Sequence, residues 1–224
     1  MGTPSFPVIA IDGPSASGKG TIAKKLAACF DFAHLDTGLL YRAVGLAVLK
    51  EGGDPADPAQ AEKAALKLDG SKIMASAEDA ALRSDEASLA ASKVASIPAV
   101  RAALLNFQKN FAAHPPLGKK GAVLDGRDIG TIIAPDAKIK IFVTASAGAR
   151  AQRRFKELQD RGQDATYAAV LEDMKERDAR DAERTIAPTK PAEGAVVLDT
   201  TNLNAEQAFK EALKIANIVL AAKT

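Results

Sequence analysis

A glycine-rich segment near the N-terminus, GPSASGKGT at residues 13–21, constrains the fold of this chain more than any other feature. It lies between an apolar run, Pro7–Ile11, and a helical pattern that begins at Lys19 and continues to about Phe30. A glycine-rich turn between a strand and a helix lets backbone N–H groups surround phosphate oxygens, and the helix N-terminus adds partial positive charge. The Lys19 side chain would reach the β- and γ-phosphates. The segment predicts a phosphate-binding P-loop, in which glycine follows the lysine and threonine comes one residue later.

Short apolar runs alternate with helical patterns along the 224 residues. Continuous apolar character predicts strands that are buried on both faces, as in a parallel sheet, and the helices between them supply the crossover connections. We therefore expect an α/β fold with three layers, α/β/α, around a five-stranded parallel sheet, and a single domain over residues 1–224. The runs that predict strands are Pro7–Ile11, Phe32–Leu35, Ala122–Leu124, Ile139–Val143 and Ala195–Leu198.

Two segments are longer than a simple crossover helix. The first, approximately residues 52–117, contains an Ala-rich helix, a short hairpin near Lys72–Arg83 and two further helices. The second, approximately residues 147–191, is dense in charge and contains two helices separated at Arg161–Gly162. Insertions at the carboxyl edge of a parallel sheet commonly carry substrate contacts, so we expect both segments to contribute to the functional site.

Several single residues have structural interpretations. Asn204, with Gln207 three residues later, predicts a capped start of the last helix. Cys29 falls on the apolar stripe of the first helix, so we expect a small core residue rather than a reactive thiol. We also expect His34 and His114 to be structural.

The composition excludes several classes of protein. The chain has 30 Lys plus Arg against 28 Asp plus Glu, without the clustered positive excess of a protein that coats nucleic acid. One cysteine cannot form an internal disulfide or a cysteine-based zinc site. No apolar run approaches the roughly 20 residues of a membrane span, and the N-terminus lacks a signal-peptide pattern. We therefore expect a cytoplasmic protein without nucleic-acid or membrane partners, and a monomer, since net charge is near zero and no apolar seam stands out.

Charged residues follow the second and third predicted strands. LDTGLLYR at residues 35–42 leaves the second strand, and LDGRDIG at residues 124–130 leaves the third. The carboxyl ends of parallel strands form the edge at which open α/β sheets bind ligands. Each segment contains carboxylates and an arginine, and arginine suits a second anionic ligand beside the P-loop. A protein that only senses a nucleotide needs one anion site, whereas this chain has residues for two.

The segment 150–184 contains seven arginines and nine carboxylates. Arg177, Asp181 and Arg184 are spaced i, i+4 and i+7, so they share one helical face. Phosphoryl transfer requires a protein mainly to align two polyanions and to neutralise their charge, which arginine does well. The alternative is a solvated helix with ion pairs such as Asp173–Arg177. RNA binding is disfavoured because the carboxylates interrupt the basic residues.

In order, the motifs GPSASGKGT, LDTGLLYR, DGRDIGT and ERDARDAER resemble those of bacterial cytidylate kinases, and the resemblance runs through nearly the whole chain. It implies a P-loop kinase fold and transfer of the γ-phosphoryl group of ATP to CMP or dCMP with Mg²⁺. It also implies an acceptor-binding insertion within residues 52–117 and a lid within residues 147–191. Compared with members of that family, this chain has a short and divergent segment at Lys72–Leu89.

The same resemblance implies roles for individual residues. The ATP-binding residues are Gly13, Pro14, Ser15, Ala16, Ser17, Gly18, Lys19, Gly20 and Thr21. The CMP-binding residues are Thr37, Arg42, Ser92, Arg101, Arg127, Asp128, Arg177, Asp181 and Arg184, of which Asp128, Ser92 and Arg101 read the cytosine. The catalytic residues are Lys19, Arg127, Arg177 and Arg184. Mg²⁺ would be held largely by phosphates and water, with Thr21 nearby and Asp36 or Asp125 as further candidates.

Two other functions remain open from the sequence. One is a kinase for another small acceptor, such as UMP, AMP or shikimate, although an adenylate kinase would carry a longer lid, sometimes with a cysteine-rich metal site. The other is a P-loop module that binds nucleotide without transferring phosphate. A GTPase switch would also need an Asn-Lys-x-Asp segment to read the base, and the sequence has none.

Overall fold

Five parallel strands form the centre of the fold in the computed structural model, which describes residues 6–221. Their order across the sheet is β2-β3-β1-β4-β5, so the first strand is central and the fifth lies at an edge. Each boundary is within two residues of the sequence prediction, and the predicted α/β fold with a five-stranded parallel sheet is confirmed. The strands are β1 (Val8–Asp12), β2 (Ala33–Asp36), β3 (Ala122–Gly126), β4 (Ile139–Thr144) and β5 (Val196–Asp199).

Within residues 6–221 the structure contains nine α-helices and one short π-helix, all but the last helix lying between strands along the chain. The first helix has the predicted bounds, and the predicted break at Arg161–Gly162 separates the seventh helix from the eighth. The α-helices are α1 (Lys19–Phe30), α2 (Gly38–Lys50), α3 (Pro58–Leu66), α4 (Gly70–Ala75), α5 (Asp85–Val94), α6 (Pro98–Ala113), α7 (Ala147–Asp160), α8 (Tyr167–Glu183) and α9 (Ala205–Ala221). The π-helix is Ile129–Ile133.

Alternate residues of the central strand face opposite layers. Ile9 and Ile11 pack in the cluster that includes α1 and α9, whereas Val8 and Ala10 pack with α6 and the π-helix. All residues of β1 and β3 are buried, which explains their continuous apolar sequence. The prediction that the last strand is buried on both faces is wrong, because β5 is an edge strand whose Val196 and Val197 are exposed.

Helices α2, α3, α5 and α6 form a second cluster of apolar side chains beside the sheet. Gly45 of α2 faces α5 so closely that a Cβ atom there would lie 2.6 Å from the Cβ atom of Ala90. The two helices therefore meet almost backbone to backbone. This contact fixes α2, which leaves the end of β2, against the helices of the first long segment.

Two other sequence predictions, one in the first long segment and one in α1, are wrong. The hairpin expected near Lys72–Arg83 is instead the end of α4 followed by turns. The Asp69 side chain accepts hydrogen bonds from the N–H groups of Ser71 and Lys72, and a capping carboxylate of this kind starts a helix. Cys29 is exposed rather than in the core, because it lies on the solvent side of the last turn of α1.

The predicted start of the last helix is confirmed. The Asn204 side chain accepts from the N–H group of Gln207 at 2.9 Å, and the Gln207 side chain accepts from the N–H group of Asn204 at 3.0 Å.

Within the described part of the chain, no single helix is long and apolar enough to cross a membrane. Helices α5 and α6 together have the length and apolar composition of a membrane span, but they are bent by 103° relative to each other.

Candidate active site

Residues 13–21, which we call the donor loop, comprise the turn between β1 and α1 and the first three residues of α1. A Cβ atom on Gly13 would lie 2.0 Å from the carbonyl oxygen of Val143, so only glycine fits at this position. Ala16 and Gly18 have φ of 56° and 90°, left-handed conformations that wind the loop back toward the start of α1. Gly18 caps α1 without a side-chain hydrogen bond, which leaves the first N–H groups of the helix for an anion.

Lys19 and two carboxylates meet beside the donor loop. Removal from water, together with the charge of Arg127, lowers the pKa of Lys19 to about 7. Burial and the charge of Asp125 raise the pKa of Asp36, because two neighbouring carboxylates resist ionising together. His34 lies 2.8 Å from Asp125 through Nε2 and Oδ2, so it contacts the site from β2. An anionic ligand here would stabilise the charged form of Lys19.

Arg177 of α8 connects the donor loop with the first long segment. Its Nη1 donates to the Ser88 hydroxyl at 2.6 Å and lies 3.5 Å from the Ser15 hydroxyl. Burial and the neighbouring charge of Arg127 lower the pKa of Arg177 to about 9. Arg42 approaches the same region from α2 and donates to the Ser88 hydroxyl at 3.4 Å. The guanidinium groups of Arg42, Arg127 and Arg177 therefore lie close enough for each charge to disfavour the others.

Asp181 lies between two of the predicted arginines. Arg127 donates through Nε to Asp181 at 3.0 Å, and Arg184 pairs with the other carboxylate oxygen. Burial favours protonation, but the arginines outweigh it and hold the pKa of Asp181 below its usual value. Among the described residues Arg177 forms no ion pair with Asp173, so the structure disfavours the solvated-helix interpretation for this face.

A cavity of about 220 Å³ opens at the end of β3, and we call it the base cavity. Arg101 and Asp128 form a buried ion pair in its wall, and the Arg101 guanidinium lies 5.5 Å from the centre of the Tyr41 ring. The structure thus brings together two residues that the resemblance assigns to cytosine. Ser92 is buried on α5, but it is not among the described residues that line the cavity.

Sequence reasoning missed several residues that build the site. Arg150 of α7 is buried, donates twice to Asp178 at 3.1 and 2.6 Å, and reaches the Ser15 carbonyl oxygen at 3.3 Å. It therefore fixes the donor loop against α8. Gln108 is buried in the wall of the base cavity. No local pattern marks either residue, since Arg150 and Asp178 are 28 positions apart and only the fold brings them together.

The five-stranded parallel sheet with the glycine-rich donor loop after its central strand is the fold of a P-loop kinase. The family model described as cytidylate kinase matches residues 9–218, and the chain belongs to that family. A cytidylate kinase from Paramagnetospirillum magneticum is 60% identical over 208 residues, covering 93% of this chain and 96% of the relative. One from Rhodospirillum rubrum is 57% identical with the same coverage. A crystal structure of an uncharacterized protein from Eubacterium ventriosum matches with a TM-score of 0.50 and 15% identity over 93% of this chain and 96% of that one, which shows the fold alone.

Proposed function

We propose that this protein transfers the γ-phosphoryl group of ATP to CMP or dCMP and releases ADP with CDP or dCDP. One observation carries the proposal: Arg177 contacts the donor loop after β1, and the base cavity, with Asp128 in its wall, follows the carboxyl end of the neighbouring strand β3. Membership of the cytidylate kinase family supports it. We also expect a cytoplasmic monomer, as the sequence predicts.

The donor loop would hold the phosphates of ATP. Its φ values and the free N–H groups at the start of α1 match the requirements of a phosphate cradle. Lys19 would place its charge on the β- and γ-phosphates, where the anion raises its pKa again.

The arginines would hold the acceptor phosphate in line with the γ-phosphate. Arg177 touches both Ser15 of the donor loop and Ser88 of α5, so it is placed to contact both substrates. Arg127 and Arg184 share Asp181, which keeps their guanidinium groups side by side. Transfer to a phosphate that is already ionised needs alignment and charge neutralisation rather than a catalytic base.

The base cavity would select cytosine. Asp128 can accept a hydrogen bond from the exocyclic amine, and Arg101 can donate to O2 or N3 of the ring. UMP presents a carbonyl oxygen in place of that amine, so it would face the Asp128 carboxylate without a hydrogen. The ion pair of these two residues keeps both polar groups satisfied before the base arrives.

The residues present fit Mg²⁺. Asp36 and Asp125 are paired at the carboxyl ends of adjacent strands. Burial and the charge of Asp125 raise the pKa of Asp36, and a cation would offset both effects. Together with the Thr21 hydroxyl they offer the oxygen ligands that Mg²⁺ prefers. Among the described residues no group of three His, Cys, Asp or Glu side chains is arranged for a metal, so phosphates and water would complete its shell. When bound, Mg²⁺ would neutralise charge on the ATP phosphates.

We propose that residues 52–117 contain the acceptor-binding insertion and residues 147–191 the lid. Their contacts support this division, because Arg154 of α7 pairs with Asp85 of α5, and Arg161 donates to the Arg83 carbonyl oxygen at 2.9 Å. Closure of these two segments over the nucleotides would exclude water from the transfer.

An assay of ADP release with Mg-ATP tests the function, with CMP, dCMP, UMP, AMP and GMP offered in parallel. We expect a strong response only to CMP and dCMP. A comparable response to AMP or UMP would contradict the assignment of Arg101 and Asp128. No response to any acceptor, with labelled CMP failing to bind in the absence of ATP, would leave a P-loop module that only binds nucleotide.

A further inference from the structure

A buried carboxylate at the end of β1 has no part in the contacts described above. Asp12 is 3% exposed, and its oxygens accept hydrogen bonds from two consecutive backbone N–H groups, Ile129 at 2.7 Å and Gly130 at 2.8 Å. Among the described residues no cationic side chain donates to it. Burial outweighs the two hydrogen bonds and raises the pKa of Asp12 to about 6, so an ionised side chain at this position is energetically costly.

The two N–H groups belong to the start of the π-helix, Ile129–Ile133. A helix cannot satisfy the N–H groups of its own first turn. Those of Ile132 and Ile133, by contrast, reach the carbonyl oxygen of Asp128 at 2.9 and 3.3 Å. Asp12 therefore satisfies two further donors of this turn, the N–H groups of Ile129 and Gly130, and fixes the backbone that directly follows Asp128.

Gly130 allows this backbone to pack tightly. A Cβ atom on Gly130 would lie 3.0 Å from the Cβ atom of Ala192 and 3.4 Å from Asp12 Oδ2, so the turn is confined from two sides. The side chains of Arg127 and Asp128 leave the chain immediately before this turn. Any shift of the turn would move both of them.

We propose that Asp12 is a positioning residue for the acceptor, whose carboxylate sets the placement of Arg127 and Asp128. The inference rests on the proposed function, in which Arg127 binds the acceptor phosphate and Asp128 binds its base. Asp12 is also bonded directly to Gly13, the first residue of the donor loop. One side chain thus links the backbone of the donor loop to the turn that recognises the acceptor.

The substitution Asp12→Asn tests this inference with little change of shape. Asparagine keeps one oxygen acceptor but turns an amide N–H toward the second backbone donor. We expect the dissociation constant for CMP, measured by calorimetry without ATP, to rise about tenfold. The preference for CMP over UMP in kcat/KM should fall, while the dissociation constant for ATP should change less than about twofold.

Asp199→Asn is the matched control. Asp199 also accepts two hydrogen bonds, from the N–H group of Thr201 at 2.8 Å and from its hydroxyl at 2.6 Å, but it is exposed and lies outside residues 52–117 and 147–191. We expect CMP binding and the preference for CMP to be unchanged in this variant.

Three outcomes would overturn the inference. The first is a folded Asp12→Asn protein with unchanged CMP affinity and preference, and the second is an equal loss for ATP and CMP, which would place the defect in the donor loop. If Asp12→Asn fails to fold, Gly130→Ala can be used, because its methyl group displaces the same turn from the other side. The third outcome is unchanged CMP binding in this Gly130→Ala protein. Asp128→Ala serves as reference: a loss in Asp128→Ala alone rejects only the role of Asp12, whereas no loss in Asp128→Ala rejects the acceptor site on which the inference rests.

Discussion

The donor loop comes from nine consecutive residues, whereas the residues assigned to the acceptor extend from Thr37 to Arg184. In the proposed function the donor loop would act mainly through its backbone, since a side chain at Gly13 would meet the Val143 carbonyl oxygen and Gly18 caps α1 without a side-chain hydrogen bond. The acceptor region would act through side chains, most of them arginines and aspartates that pair with each other. A backbone site is therefore visible as a local motif, and a side-chain site becomes visible only when the chain is folded.

The largest effect is expected where the two regions meet. Arg177→Met should lower kcat with CMP about a thousandfold, since an arginine that neutralises transferring phosphate contributes at least that much in related reactions. The unfolding temperature should not fall, because within residues 6–221 the Arg177 side chain donates hydrogen bonds only to hydroxyl groups, and its burial is costly. Steady-state kinetics and thermal unfolding measure the two quantities.

Arg180→Met is the control for that prediction. Arg180 lies on the same helix, is exposed, and donates only to the carbonyl oxygen of Glu176 among the described residues. An equal loss of kcat in both variants would show that α8 contributes through its total positive charge rather than through the position of Arg177. The acceptor region would then not depend on individually placed side chains.

A smaller effect, confined to the acceptor, is expected at the base cavity. Asp128→Ala should weaken CMP use by about 1–3 kcal/mol, because the exocyclic amine loses its acceptor and Arg101 loses its partner. The affinity for ATP should remain nearly unchanged. Parallel calorimetric titrations with CMP and ATP test this, with the exposed Asp136→Ala as control. Equal losses for both nucleotides would show that Asp128 has a structural role instead.

The donor loop should show a proton-linked effect. With a pKa lowered from 10.5 to about 7, Lys19 is mostly neutral at pH 8 in the free protein. ATP phosphates favour the charged form, so binding should take up close to one proton at pH 8. Calorimetry in two buffers of different ionisation enthalpy measures this uptake. Lys19→Arg should abolish it, since a guanidinium is already charged, and undiminished uptake in that variant would assign the proton to another group.

The smallest effect is expected at Cys29, which belongs to neither region. The thiol is exposed in the last turn of α1, about 15 Å along the helix from Lys19. A thiol reagent should label the native protein with one equivalent and leave kcat and both KM values unchanged. If the reagent labels the thiol only after the protein unfolds, Cys29 lies in the core, as the sequence predicts.

Features with a local signal were predicted well. The bounds of α1 and the Asn204 cap depend on neighbouring residues, and both are confirmed. The exposed face of β5 and the mistaken hairpin near Lys72–Arg83 had no such signal, since apolar runs occur in edge strands, buried strands and short helices alike.

Among the predicted site residues, too, features with a local signal were predicted, whereas contacts between distant residues were not. The motifs place Arg127 and Asp128 at a strand end, but the ion pair of Asp128 with Arg101 joins residues 27 positions apart. The contact of Asp12 with Ile129 spans 117 positions, and a lone aspartate before a glycine-rich loop has nothing in its sequence to indicate that partner. Sequence spacing predicts which residues share a helix face, whereas contacts between distant elements depend on the strand order of the sheet.

The missing side chain at Gly45 has a mechanical consequence. The helices α2 and α5 touch at Gly45 and Ala90, and α2 carries Arg42 while α5 carries Ser92. A methyl group at position 45 would push the two helices apart. The resulting tilt would shift the acceptor residues that the helices carry, so a residue that touches no nucleotide would change the affinity for the acceptor.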